Sequence, residues 1–148
     1  MNTPEQIALV PPLEQLHVTS GFGPRTHPIT GKPQSPHPGV DFRAAVGAPV
    51  YAVAAGVVVR SYFSKGDKSR GIGSYGERIV VAHPGGYESS YAHLSERLVR
   101  EGEQVKPGQM IGRAGSTGDS TGPHLHFELK FRAVPLDPMP MLTRQRPA

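Results

Sequence analysis

The chain has 148 residues, enough for one domain with a sizeable core and too few for two comfortable ones. Its 18 glycines and 16 prolines argue for many tight turns and against a helical bundle, while a hydrophobic fraction of 36% gathered in patterned blocks excludes a disordered chain. Cysteine is absent, which excludes disulfides and thiolate metal sites, and the net charge of +4 favours anionic partners in general without the interleaved aromatics that single out nucleic acid.

Residues 1–15 carry three prolines and little pattern, and read as an extended lead-in. They show no basic n-region and no apolar h-region of a signal peptide, and no stretch of the chain approaches bilayer-spanning length. Residues 16–20, Leu-His-Val-Thr-Ser, read as a short strand running into a turn at Gly21-Phe-Gly-Pro24. Pro28, Gly31, Pro33, Pro36, Pro38 and Gly39 then forbid a helix and predict a long shaped loop over 25–39. Alternation restarts at 40–42, and 49–59 is the most strand-prone run of the chain. Residues 61–76 form a second loop, polar, basic and glycine-rich. Two runs, 78–83 and 87–93, flank the turn Pro84-Gly-Gly86 and predict a hairpin. One short helical turn is expected over 95–101, a further strand over 109–114, a small-residue loop over 115–123, and packed coil after Leu136. The plan is mainly β, antiparallel, with little helix.

The run Gly122-Pro-His-Leu-His-Phe-Glu-Leu-Lys-Phe131 ends this order and carries the strongest chemical signal. Successive strand side chains point to opposite faces, so His124, His126 and Glu128 share one face while Leu125, Phe127 and Leu129 face the core. Five other histidines occur, at 17, 27, 37, 83 and 93. His37 and Asp41 are four apart across Pro38-Gly39, which disfavours a helix and lets the two converge through a turn. A catalytic zinc takes about three protein ligands and leaves a position for water. His37, Asp41 and one of the two strand histidines make such a set, and Tyr91-Ala-His93 at the hairpin end supplies a further polar group.

Five motifs in order, Ser20-Gly-Phe-Gly-Pro-Arg25, His27-Pro-Ile-Thr-Gly-Lys32, His37-Pro-Gly-Val-Asp41, Tyr91-Ala-His-Leu94 and Gly118-Asp-Ser-Thr-Gly-Pro-His-Leu-His-Phe-Glu128, resemble the successive motifs of the lysostaphin-type, LytM-like zinc endopeptidases that cut peptidoglycan. The resemblance spans residues 16–138, with 1–15 as lead-in and 139–148 as a C-terminal tail. It implies antiparallel sheets forming an open groove with one zinc ion per chain on its floor. It implies His37, Asp41 and His126 as metal ligands, and His93 and His124 as catalytic histidines that assist attack of a zinc-bound water on an amide. The implied partner is a peptidoglycan peptide, met by a monomer without nucleic acid or membrane insertion, in the cell envelope or in a phage context. Relatives that serve as non-catalytic activators of other wall hydrolases are the alternative; they typically lack site residues that are all present here.

Other features weigh less. Glu128 rivals the histidines as base, yet it lies roughly 7 Å along the strand from His126, a distance that suits orienting a ligating imidazole better. His17 and His83 read as structural or exposed, and His27 as a residue lining the groove rather than a ligand. Gly115, Gly118 and Gly122 match no phosphate loop and read as turn residues walling the site, with Ser116 and Thr117 as candidate substrate contacts.

Overall fold

The computed structural model describes residues 7–26 and 29–142. The expectation that His27 lines the groove therefore falls outside the described residues, as do those for 1–6 and 143–148. In chain order the strands are β1 (Val18–Ser20), β2 (Gly23–Thr26), β3 (Pro33–His37), β4 (Val40–Arg43), β5 (Pro49–Tyr51) and β6 (Gly56–Ser64), followed by β7 (Gly76–Ala82), β8 (Tyr87–Arg97), β9 (Gln104–Val105), β10 (Met110–Ala114), β11 (His124–Phe131) and β12 (Val134–Leu136). A single helical turn, α1 (Met139–Leu142), follows. One antiparallel sheet runs β1-β4-β11-β8-β7-β6-β9, with β10 bridging β5 and β8 and with β12 on the edge of β11; β2 and β3 form a separate ribbon.

Alternation explains the central strands. Along β11, Leu125, Phe127 and Leu129 are fully buried, and along β4 Val40 and Phe42 are too. Tyr91 packs edge-on against Phe127, with ring centroids 5.3 Å apart. Leu9, Leu13 and Leu142 close the same core from the two ends of the described chain. The lead-in is tied down as well: Val10 N–H donates to Val53 O and Tyr51 N–H to Pro12 O, at 2.9 and 2.8 Å.

Several expectations are corrected: residues 61–64 continue strand β6 rather than opening the loop, and 139–142 form a helical turn rather than coil. The proline-rich stretch 25–39 is not one shaped loop, because β2 and β3 pair across it. Residues 95–101 form no helical turn: β8 continues to Arg97, paired with β7 and then with β10, and register shifts on both sides scramble the alternation that would have marked it as strand. The run 49–59 is likewise interrupted at 52–55, giving β5 and β6 different partners.

His83 is structural. Its Nδ1–H donates to Ala55 O at 2.7 Å, and its Nε2 accepts from Ser89 Oγ at 2.7 Å; Ser89 in turn accepts from Tyr91 Oη, which accepts from Val53 N–H. This buried chain needs a neutral imidazole, and burial holds the His83 pKa below its usual value. The unfolded chain therefore takes up the proton first, and stability present above about pH 6.5 is lost as pH falls below it. His83 should pull the urea midpoint down between pH 7.5 and pH 5.5, against the opposite pull of His126, whose raised pKa favours the folded state at low pH. His83→Gln should cost about 1–3 kcal/mol at pH 7.5 and remove that downward pull; an unchanged slope in the variant would place its origin elsewhere.

Candidate active site

The polar face of β11 lies against β4 with His126 opposite Asp41 and His124 opposite Arg43. That register sets His126 Nδ1 2.8 Å from Asp41 Oδ1 and His124 Nε2 3.7 Å from the same oxygen. His37 reaches the cluster from the end of β3, its Nε2 3.5 Å from Asp41 Oδ2. The bend between His37 and Asp41 lies hard on β11: a Cβ on Gly39 would sit 2.3 Å from Phe127 O and 2.8 Å from Glu128 Cγ. Only glycine lets the chain fold back this close, and this approach carries His37 over Asp41.

The remaining ring nitrogens have fixed partners. His37 Nδ1 donates to Gly21 O at 3.0 Å, so the Ser20-Gly-Phe-Gly turn orients His37 with its Nε2 toward Asp41. His126 Nε2 meets Glu128 Oε2 at 2.7 Å, which leaves Nδ1. One donor atom from each of His37, Asp41 and His126 lies within 4.8 Å of the others. Two imidazoles and a carboxylate converging in a largely buried pocket are a donor set that suits a borderline-soft divalent metal. The electrostatics agree. Burial alone would lower the His126 pKa, but Asp41 and Glu128 on either side push it up to about 9. Burial opposes ionisation of Asp41 and Glu128 too, and their bonds to His126 outweigh it, holding both carboxyls below their usual range. The pocket is built to hold positive charge.

Glu128 is thus an orienting partner of His126, itself held by Tyr75, whose hydroxyl donates to Glu128 Oε2 at 3.0 Å. The Tyr75 ring stacks on His126 at 5.5 Å between centroids, and burial beside the Glu128 charge raises its pKa to about 12. Tyr75 carries no pattern in the sequence that would single it out; it ends the connection between β6 and β7.

His93 stands 4.8 Å from His124 and 6.1 Å from His126 between ring centroids. Its φ of +60° is rare for a residue with a Cβ and breaks the alternation of β8, so that His93 faces the cluster while Tyr91 remains in the core. The backbone is held by His93 N–H donating to Tyr75 O at 2.8 Å, and the ring by Nδ1–H donating to Thr117 O at 2.7 Å. Burial, reinforced by the neighbouring imidazoles, lowers its pKa and keeps it neutral near pH 7. His124 Nδ1–H donates to Gly122 O at 2.9 Å. Both rings therefore offer Nε2 to the open side.

Thr117 serves this arrangement from within. Its hydroxyl donates to Leu94 O and accepts from Glu77 N–H, and it packs on Gly76, where a Cβ would lie 2.4 Å from it. Ser116 Oγ donates to Ser120 Oγ at 3.0 Å. The open cleft above the cluster, about 540 Å³, is bordered instead by Ile72 and Tyr75 on one side and Asp119, Ser120 and Thr121 on the other, with the histidines and Asp41 as floor.

The family model for peptidase family M23 matches residues 35–138. The chain is 46% identical over 125 residues to the peptidoglycan DD-endopeptidase ShyB of Vibrio cholerae, an alignment covering 82% of the chain and 27% of that relative, so the chain spans about a quarter of the relative's length. A zinc-containing peptidase from Vibrio cholerae superposes with a TM-score of 0.78 at 40% identity, covering 90% of this chain and 40% of that one. The catalytic domain of lysostaphin from Staphylococcus simulans superposes with a TM-score of 0.72 at 36% identity, over 87% of this chain and 93% of that domain. With more than two thirds of its residues inside the family match and the fold shared along nearly the whole of the lysostaphin domain, the chain belongs to peptidase family M23.

Proposed function

We propose that the chain is a zinc-dependent endopeptidase that hydrolyses peptide bonds in the stem peptide or cross-bridge of bacterial peptidoglycan, acting as a monomer in the cell envelope. The observation that carries this reading is the convergence of His37, Asp41 and His126 within 4.8 Å, with His93 and His124 beside them on the floor of an open cleft. Support for the substrate comes from the relative named as a peptidoglycan DD-endopeptidase. Among the described residues no helix is long and apolar enough to cross a membrane. A role as a non-catalytic activator is disfavoured, because all five site positions are filled and face one another.

His37 Nε2, a carboxylate oxygen of Asp41 and His126 Nδ1 would hold the zinc. When bound, zinc supplies Lewis acidity, lowering the pKa of a coordinated water toward about 7 and polarising an amide carbonyl. The chain's own residues manage the protons. His93, neutral and tautomerically fixed by Thr117 O, presents Nε2 as a proton acceptor. His124, fixed by Gly122 O, presents a second Nε2 that in its protonated form donates to the developing oxyanion or to the leaving amine. The cleft walls, Ile72 with Tyr75 and Asp119 with Thr121, confine an extended peptide over that floor.

Glu128→Gln tests the orienting shell separately from turnover. Losing the carboxylate on His126 Nε2 should weaken zinc binding by about 10–100-fold in a chelator competition, since such partners fix ligand tautomer and basicity. Unchanged zinc affinity would remove Glu128 from that role. The function itself is tested by digesting purified sacculi and identifying the released muropeptides by mass spectrometry. New peptide ends from a single bond class are expected, absent after chelation and regained on adding zinc; intact sacculi under zinc-loaded conditions would sink the proposal.

A further inference from the structure

We propose that Arg43 forms a carboxylate-binding subsite of the peptide groove, engaging an anionic group of the substrate within about two residues of the bond that is cut. This inference rests on the peptidase reading above.

Val40 and Phe42 of β4 are buried in the core, so Asp41 and Arg43 share the opposite face of the strand, the face that forms the floor of the cleft. Arg43 pairs across the ladder with His124, one of the two histidines assigned to proton transfer. A second hollow of about 250 Å³, bordered by Thr19, Arg43, Gly122 and Pro123, adjoins the main cleft and shares Asp41, Thr121 and His124 with it. A peptide laid with its reacting carbonyl at His93 and His124 can therefore extend from the main cleft into the hollow bordered by Arg43. The paired strand positions are about 5 Å apart and an extended peptide advances about 3.4 Å per residue, which puts the guanidinium within reach of the first or second residue beyond the cut.

The charge pattern favours an anion there. Asp41, the other charged group of this hollow, is engaged by His126 and His37. Three arginines are occupied internally, Arg78 by Tyr62 and Ser90, Arg97 by Glu77 and Ser61, and Arg113 by Glu96 and the Gly47 carbonyl, and Arg43 is the arginine that borders the hollow beside His124. Arg43 is exposed, and among the described residues its guanidinium has no carboxylate within ion-pair distance. The carboxylate of Asp119, on a wall of the main cleft, accepts from Ser74 N–H, so the cation of Arg43 is the charge that the adjoining hollow offers to a ligand. A guanidinium offers a planar fork that matches a carboxylate in two parallel hydrogen bonds, and a carboxamide cannot accept both.

The test uses the zinc-loaded chain and two synthetic cross-linked stem peptides that differ only by a carboxylate or a carboxamide next to the cleaved bond. The wild type should favour the carboxylate by at least about tenfold in kcat/KM, the range expected for a charged hydrogen bond. That ratio should fall to about one in Arg43→Ala and be partly kept in Arg43→Lys, with zinc content confirming that both variants are folded. A wild-type ratio surviving in Arg43→Ala, or a wild-type ratio near one, overturns the subsite alone. Cleavage of neither peptide by the wild type overturns the peptidase reading and the subsite with it.

Discussion

Replacing His93 by alanine is expected to slow release of muropeptides from purified sacculi by about 10²–10⁴-fold while stoichiometric zinc remains bound. The separation follows from geometry. His93 is outside the set of three donor atoms, yet its ring lies 4.8 Å from that of His124, and its Nδ1 is committed to the Thr117 carbonyl, so only Nε2 is left for the substrate side. A loss of this size should fall on kcat rather than KM, because a group that moves a proton contributes in the transition state and little to ground-state binding. His124→Ala should behave alike. Thr117→Val, which removes the hydroxyl that anchors the carbonyl holding His93, should give a smaller loss of the same kind. Full activity in His93→Ala on sacculi would contradict the assignment outright.

Replacing Asp41 by alanine is expected to abolish zinc binding at micromolar metal and, with it, the stabilisation that zinc confers. Asp41 is the hub of the cluster: one oxygen faces His126 and His124, the other His37. Without the carboxylate, the floor retains imidazoles whose charge Glu128 alone must balance, and one of the three donors is gone. The affinity loss should exceed the about 10–100-fold expected for an orienting partner such as Glu128. Calorimetric melting reads this without any turnover. Metal at about a hundred times its Kd stabilises by about 2.7 kcal/mol, so the wild type should melt several degrees higher with zinc than after chelation. Asp41→Ala should show no such difference; an equal zinc-induced shift in wild type and variant would mean that the metal sits elsewhere.

How much of this was legible in the sequence depends on range. The face of β11 was readable because strict alternation in a single strand needs only neighbouring residues: Leu125, Phe127 and Leu129 went to the core, His126 and Glu128 to the other face. The pairing of β11 with β4, by contrast, joins residues 85 apart, and no local pattern fixes its register. It entered through the order of motifs shared with the lysostaphin-type peptidases. His93 was legible as a polar group at the hairpin end, but its facing was not. By alternation it belongs with Tyr91 on the core side, and only its left-handed φ turns it outward.

The orienting groups were least visible. Gly21, Gly122 and Thr117 act through backbone carbonyls, which any residue type supplies, so although motif and turn chemistry single these residues out, nothing in their side chains marks the orienting role. Gly39 is the exception, a position where the need for a missing Cβ is written in the residue itself. Tyr75 reaches Glu128 and His126 from a loop whose polar, glycine-rich character points only to variability. These supports decide whether five polar residues form a site or a scatter.

The central claim is that catalysis depends on one zinc ion held by His37, Asp41 and His126. It is tested most directly by stripping the metal from the protein and following hydrolysis of sacculi as zinc is returned in measured equivalents. Activity should rise linearly from the background and level off at one zinc per chain, with no response in Asp41→Ala. Metal-free protein that cuts as fast as the reconstituted form, or a plateau unrelated to one equivalent, would contradict the account.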